Sequence, residues 1–205
     1  MPSIAADVTV WGWWQPARVD IGLEVEGNFV TKKVLPFQRF AFLDFEASSL
    51  DRDSWPIEVG LSWIDDSHEI QTFESLIRPA PDWPEEAWSK ASASVHNIPR
   101  SELETAPRVE VVAQGLLKAL GSRIALSDAP PFERHWLDQL LGAAGVTTHV
   151  QIEDFEAITL AAFSPRALDF LYERLERVVA PHRAGPDSAR LAKGWLAGMR
   201  RERQT

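Results

Sequence analysis

The sequence contains no cysteine in its 205 residues. That absence excludes disulfide scaffolds, thiolate zinc sites and cysteine nucleophiles together. No run of about 18 apolar residues occurs, so a membrane-spanning helix is excluded. The N-terminus lacks a basic start followed by an apolar stretch and a small-residue cleavage site, and secretion is not expected. A cytoplasmic location is the default. Positive charge is scarce as well: 21 Lys and Arg stand against 30 Asp and Glu, a net charge of −9. Gripping long nucleic acid by neutralising many phosphates needs clustered cations, and this balance argues against it.

What is present is an ordinary globular composition, 45% hydrophobic and 25% charged, in a length that suits one domain. The charge is uneven. Residues 164–205 carry nine Lys or Arg against five Asp or Glu, leaving the preceding 163 residues at −13. An acidic body could hold metal ions and a basic tail could face an anionic ligand, although a solvated helical surface accounts for the pattern more simply.

Residues 1–38 read as an appended extension, either a hairpin (Val19 to Val25, a Gly27-Asn28 turn, Phe29 to Val34) or a disordered leader. From residue 39 to 205 the pattern is that of one α/β domain. Phe40 to Leu43 suits a strand buried on both faces. Ile57 to Ile64 and Glu69 to Ile77 suit a hairpin, and prolines 79, 81 and 84 precede a helix near Glu85 to Ser94. A helix opened by Pro107 and stopped by Gly121, a strand from Arg123 to Leu126 and a helix from about Phe132 to Leu141 follow. Val150 to Glu153 reads as a further strand. Ser164-Pro165 starts a helix to about Val179, and a last helix starts near Pro186. Three strands in a meander followed by alternating helices and strands make an α/β sheet domain.

Three segments could carry chemistry. Asp44 and Glu46 end the buried strand, and strand alternation sends them to one side. Two carboxylates leaving a dry sheet together suit a divalent metal, and a solvated strand end suits them equally. Asp187 falls in the first turn of the last helix with His182 on the loop before it, which a plain helix start would also explain. Asp128 and Glu133 flank the start of the Phe132 helix, where a cap and a first-turn acid are expected in any case. Tryptophans could stack on bases, but Trp63, Trp88, Trp136 and Trp195 fall in regular elements. Trp55 and Trp83 sit beside prolines in connections and are the better candidates of the set.

In their order and spacing these segments resemble the DEDD superfamily of 3′–5′ exonucleases, in the branch with a histidine in its third motif. The first motif matches Phe42-Leu43-Asp44-Phe45-Glu46-Ala47-Ser48-Ser49-Leu50, and the family's I-E-I-G strand matches Ile57-Glu58-Val59-Gly60. Ser94 to Ile98 looks similar to the segment before the middle helix, and His182 to Ser188 matches the third motif. The second motif departs, with Glu133 where the family places aspartate after phenylalanine. The extra methylene moves the oxygens by about one bond length, and Asp128 stands close enough to take over.

The resemblance implies a ribonuclease H-like mixed sheet flanked by helices, and a metal-dependent 3′–5′ exonuclease acting on single-stranded or short nucleic acid. It implies two Mg²⁺ or Mn²⁺ ions about 3.5–4 Å apart. Their ligands would be Asp44, Glu46, Asp187 and Glu133 (or Asp128), with His182 as general base. Ala47, Ser48 and Leu50 would line the terminal nucleotide's pocket, with His96 near its edge. The resemblance also raises a homodimer, common in that family. The same fold with a decayed second motif, used as a nucleic-acid-end or protein-binding module, is the alternative, and hydrolysis of a small nucleotide is a third reading.

Overall fold

The computed structural model describes residues 23–26, 29–32 and 37–204, with side chains described for the last of these stretches. Strands β1 (Leu23–Glu26) and β2 (Phe29–Lys32) pair antiparallel as a separate two-stranded sheet. Glu26 lies opposite Phe29, so the connection is two residues long. The Gly27-Asn28 turn expected there and Trp11, Trp13 and Trp14 lie outside the described residues.

The main body is a five-stranded mixed sheet in the order β5-β4-β3-β6-β7. Strands β3 (Phe40–Ala47), β4 (Pro56–Ile64) and β5 (Ile70–Leu76) form the antiparallel meander. Strand β6 (Ile124–Ser127) lies parallel to β3, and β7 (Ile152–Asp154) parallel to β6. Alternation along β3 divides its side chains between two cores. Ala41, Leu43 and Phe45 join the core under α3 (Val109–Leu120) and α4 (Pro130–Ala143). Phe40 and Phe42 join the core under α5 (Phe155–Ala162), α6 (Pro165–Glu176) and α7 (Ala184–Glu202). With both faces covered, the strand reads as the continuous apolar run seen in the sequence.

Trp195 is the hub of the second core. Its indole lies 5.3 Å from the Phe40 ring, 5.7 Å from Phe42 and 4.9 Å, edge-on, from Phe163. Burying one such ring is worth about 2–3 kcal/mol, and this packing fixes where α7 lies along the sheet. The helix also sits unusually close to β4. A Cβ at Gly60 would overlap the backbone of Ala184 and Gly185. A hydroxyl chain, from exposed Thr72 to buried Ser62 at 2.8 Å and from Ser62 to buried Ser188 at 2.9 Å, ties β5, β4 and α7 together.

Several elements differ from the sequence expectations. The single helix over 85–94 is a 3-10 turn, Glu85–Ala87, followed by α1 (Lys90–His96). Ser89 breaks the run because it is extended, and its side chain accepts the Ser92 N–H as an N-cap. A short α2 (Arg100–Leu103) and α5 were not anticipated, although Asp154 caps α5 by accepting the Ala157 N–H at 2.7 Å. Prolines 130 and 131 start α4 two residues before Phe132, and α6 stops at Glu176 rather than Val179. No helix among the described residues is long and apolar enough to cross a membrane.

Candidate active site

Four chain segments converge where the parallel strands end. Asp44 and Glu46 close β3, and Asp128 follows the last residue of β6. Glu133 lies in the first turn of α4 and Asp187 in the first turn of α7. Glu133 and Asp187 therefore sit at the positive dipole ends of two helices. The turn into α4 is held by the Ser127 hydroxyl, which accepts the Ala129 N–H at 2.9 Å. His182 precedes α7 in a left-handed conformation (φ 55°). Glu46, His182 and Asp187 present donor atoms that all lie within 4.8 Å of one another. Asp44, Asp128 and Glu133 stand beside that tight group on the same cleft, whose volume is about 460 Å³.

The electrostatics are those of an acid cluster short of counter-charge. Glu46 is pushed up to about 8, first by burial and then by the Asp187 and Glu58 charges, with Arg183 opposing. Burial also holds Asp44 well above the carboxylate range, reinforced by Asp128, Glu46 and Asp187. Glu133 is raised by its complete burial and by Asp44 and Asp128, against a hydrogen bond from the Phe45 N–H. Asp187 is raised mainly by burial, opposed by the Arg183 N–H, which donates to its Oδ2 at 3.1 Å. Asp128 keeps an exposed surface yet sits in a concave, atom-rich rim, and desolvation there raises it too, with Arg190 opposing.

The cation that opposes the Glu46 shift is already engaged. Arg183 donates to both oxygens of buried Glu58, at 3.1 and 3.0 Å from Nε and 2.6 Å from Nη2. Glu58 also accepts the Ala184 N–H at 2.9 Å, which caps α7 and anchors the His182 loop to β4. Arg190, on the cleft wall, donates to the Val178 and Leu175 carbonyls.

The donor set fits a divalent metal. Glu133 Oε2 and Asp187 Oδ1 are buried and have no hydrogen-bond partner, which is costly for carboxylate oxygens unless a cation meets them. Carboxylates with one imidazole are the hard, oxygen-rich chemistry of Mg²⁺ or Mn²⁺.

Of the residues expected to line a nucleotide pocket, Ala47, Leu50 and His96 do line the cleft. Ser48 does not: its buried hydroxyl accepts the Trp55 N–H at 3.0 Å, and Ser49 takes the cleft position instead. A register shift between Glu46 and Ala47 precedes this stretch. His96 is buried, with Nδ1 accepting the Ile98 N–H at 3.0 Å, so its proton sits on Nε2, which has no partner. Burial lowers its pKa. Sequence reasoning missed Val95, Arg183 and Arg190. Val95, 48% exposed, faces the cleft with Leu50 at 64%, and an exposed valine on a helix gives no sequence signal. Trp55 and Trp83 are a correction: they are buried, stack on each other at 5.7 Å and offer no platform to a base. The Trp55 indole is committed to the Pro84 carbonyl.

No family model and no curated protein matches this sequence. Solved structures do. E. coli exonuclease I in complex with a dA16 oligonucleotide superposes with a TM-score of 0.61 at 12% identity, covering 80% of this chain and 41% of that one. This chain has a ribonuclease H-like exonuclease fold. A 3′-exonuclease whose structure describes 3′-end-specific recognition of histone mRNA stem-loop superposes at 0.59 with 18% identity, over 81% of this chain and 84% of that one. The zinc-ion-bound form of the E. coli exonuclease I–single-stranded DNA complex matches at 0.55 with 13% identity, over 80% and 40%. The chain thus spans about two fifths of exonuclease I and most of the histone-mRNA enzyme.

Proposed function

We propose that this chain is a metal-dependent 3′–5′ exonuclease that removes nucleoside 5′-monophosphates from single-stranded or short nucleic-acid ends. The observation that carries the reading is the convergence of Asp44, Glu46, Glu133, His182 and Asp187 on one cleft of an exonuclease fold. Asp44, Glu46, Asp187 and Glu133 would hold the divalent ions, with Asp128 at the rim. When bound, Mg²⁺ or Mn²⁺ supplies Lewis acidity toward a phosphodiester oxygen and a water of lowered pKa.

The residues of the chain do the rest. His182, exposed at the cleft mouth, takes the proton of the attacking water in its neutral form. The Glu58–Arg183 pair and the α7 cap hold its loop, so the imidazole meets the phosphate with little freedom to lose. Leu50 and Val95 offer apolar surface to the terminal nucleoside, and His96 Nε2–H offers a donor at its edge.

The test is a time course with 5′-labelled single-stranded RNA and DNA in Mg²⁺ or Mn²⁺, alongside Asp44→Ala. The expected result is a ladder shortening from the 3′ end, lost in the variant and with EDTA. Intact strands with folded protein and excess metal would overturn the reading.

A further inference from the structure

A second concavity, about 420 Å³, lies between α6 and α7. Phe170 and Arg174 of α6 line it with Lys193, Arg200 and Arg201 of α7 and Gln204 just beyond that helix, giving four cations and no acid in a chain of net charge −9. Nearby acids are committed elsewhere. Glu173 pairs with Arg177, and Glu202 accepts the Ser164 N–H and hydroxyl at 3.0 and 2.7 Å. Asp169 and Glu176 fall at helical phases turned away from the Phe170–Arg174 row. Phe170 is 44% exposed, and the Arg201 guanidinium stands 4.7 Å from its ring centre, a cation-backed aromatic surface. The walls are firm because Gly194 and Gly198 let the helices close: a Cβ at Gly194 would lie 2.7 Å from Leu175 Cδ2.

The groove is continuous in phase with the candidate active site. Arg190 lines the candidate cleft, and Lys193, Ala197 and Arg200 follow it at spacings of three and four. Those positions share one face of α7 and run about 15 Å from Arg190 to Arg200.

We infer that this groove is a second binding site for single-stranded nucleic acid, holding the strand upstream of the 3′ end in the cleft. Arg174, Lys193 and Arg200 take phosphates, and Phe170 takes the face of a base. The direction of the strand rests on the exonuclease reading; the presence of the site does not. A basic groove away from the acid cluster also explains how a −9 protein can hold a polyanion.

The experiment is fluorescence anisotropy of a labelled single-stranded 12-mer with the full chain in EDTA, titrated at several salt concentrations. Metal-free conditions keep the strand intact and the acidic cleft repulsive, so a failed exonuclease assay and a failed groove are read separately. The variant Arg174→Gln/Lys193→Gln/Arg200→Gln alters only exposed side chains and removes charge without reversing it, so it should keep a cooperative melt close to the parent's. Its affinity should fall about tenfold or more, and the slope of log K against log salt should flatten by roughly two, at about 0.7 per phosphate released. Phe170→Ala should weaken the 12-mer several-fold and leave inorganic polyphosphate binding unchanged. Superimposable titrations for parent and triple variant would overturn the proposal. So would polyphosphate binding as tight as the 12-mer with no effect of Phe170→Ala, which would mark a general anion site.

Discussion

Glu133 is the residue on which sequence and structure bear most directly. The resemblance expects an aspartate there, and the structure shows what the longer side chain does. From α4 it reaches the end of β3 and accepts the Phe45 N–H, with its other oxygen left free among the acids. That N–H lies beyond Phe42, the last β3 residue paired with β6, so the sheet offers it nothing on that edge. Glu133→Asp withdraws the carboxylate by one methylene and gives up this contact, at a cost of about 1–2 kcal/mol in urea unfolding. Glu133→Gln keeps the acceptor and donates its amide toward Asp44, so the metal-free protein should unfold later than the parent at pH 8. The same variant should lose most of its stabilisation by Mn²⁺. Coincident unfolding curves for all three proteins would show that the carboxylate is not held in this way.

At the scale of elements, the site depends on how closely the start of α7 approaches β4. Gly60 and Gly185 both serve that approach, but they are not equivalent. A Cβ on Gly60 meets Ala184 and Gly185 backbone, which cannot yield without moving the helix. A Cβ on Gly185 meets the Glu74 side chain, whose carboxylate can swing away and whose Cβ, at 2.9 Å, has to yield only slightly. Gly60→Ala should therefore cost about 3 kcal/mol or more, or prevent folding, and Gly185→Ala distinctly less, as read by thermal melts. The Glu58–Arg183 pair yields a second comparison. Glu58 has only 4% of its side chain exposed while Arg183 has 42%, so Arg183→Met strands a buried charge. A cost of about 2–3 kcal/mol is expected, reduced from the fully buried case by solvent around Arg183. Adding Glu58→Gln should recover part of it, which a double-mutant cycle measures. The sequence announced Gly60 only as part of a motif. Its reason, a backbone contact with a residue 124 positions later, is a tertiary fact that no local pattern carries.

At the scale of the molecule, strand alternation made the meander legible, and Ser164-Pro165 and Gly121 marked helix ends that the structure keeps. Alternation also placed Asp44 and Glu46 on one face. Less legible were the partners of single side chains: Ser48 turned inward to Trp55, and two tryptophans stacked on each other rather than facing solvent. Those depend on which neighbour arrives first in three dimensions. The summed electrostatics are likewise a property of the assembled fold, and they set a pH dependence with a definite sign. Glu46 titrates near the ordinary glutamate value of 4.5 when unfolded and is pushed up to about 8 when folded without metal. Between those values the folded state holds a proton that the unfolded chain has released, so stability is fully present below about 4.5 and is lost as pH rises through about 8. Asp44, Glu133, Asp128 and Asp187 are raised as well and add the same sign. In EDTA the melting temperature should fall by several degrees between pH 5 and pH 8. Mn²⁺ or Mg²⁺ competes with those protons, so the stabilisation it gives should grow over the same interval and offset the fall. General repulsion in a −9 chain would also lower stability as pH rises, and Glu46→Gln separates the two causes. The variant should flatten the metal-free slope while changing net charge by only one. An unchanged slope would remove Glu46 as a source of the effect and leave it to the other raised acids and to overall charge.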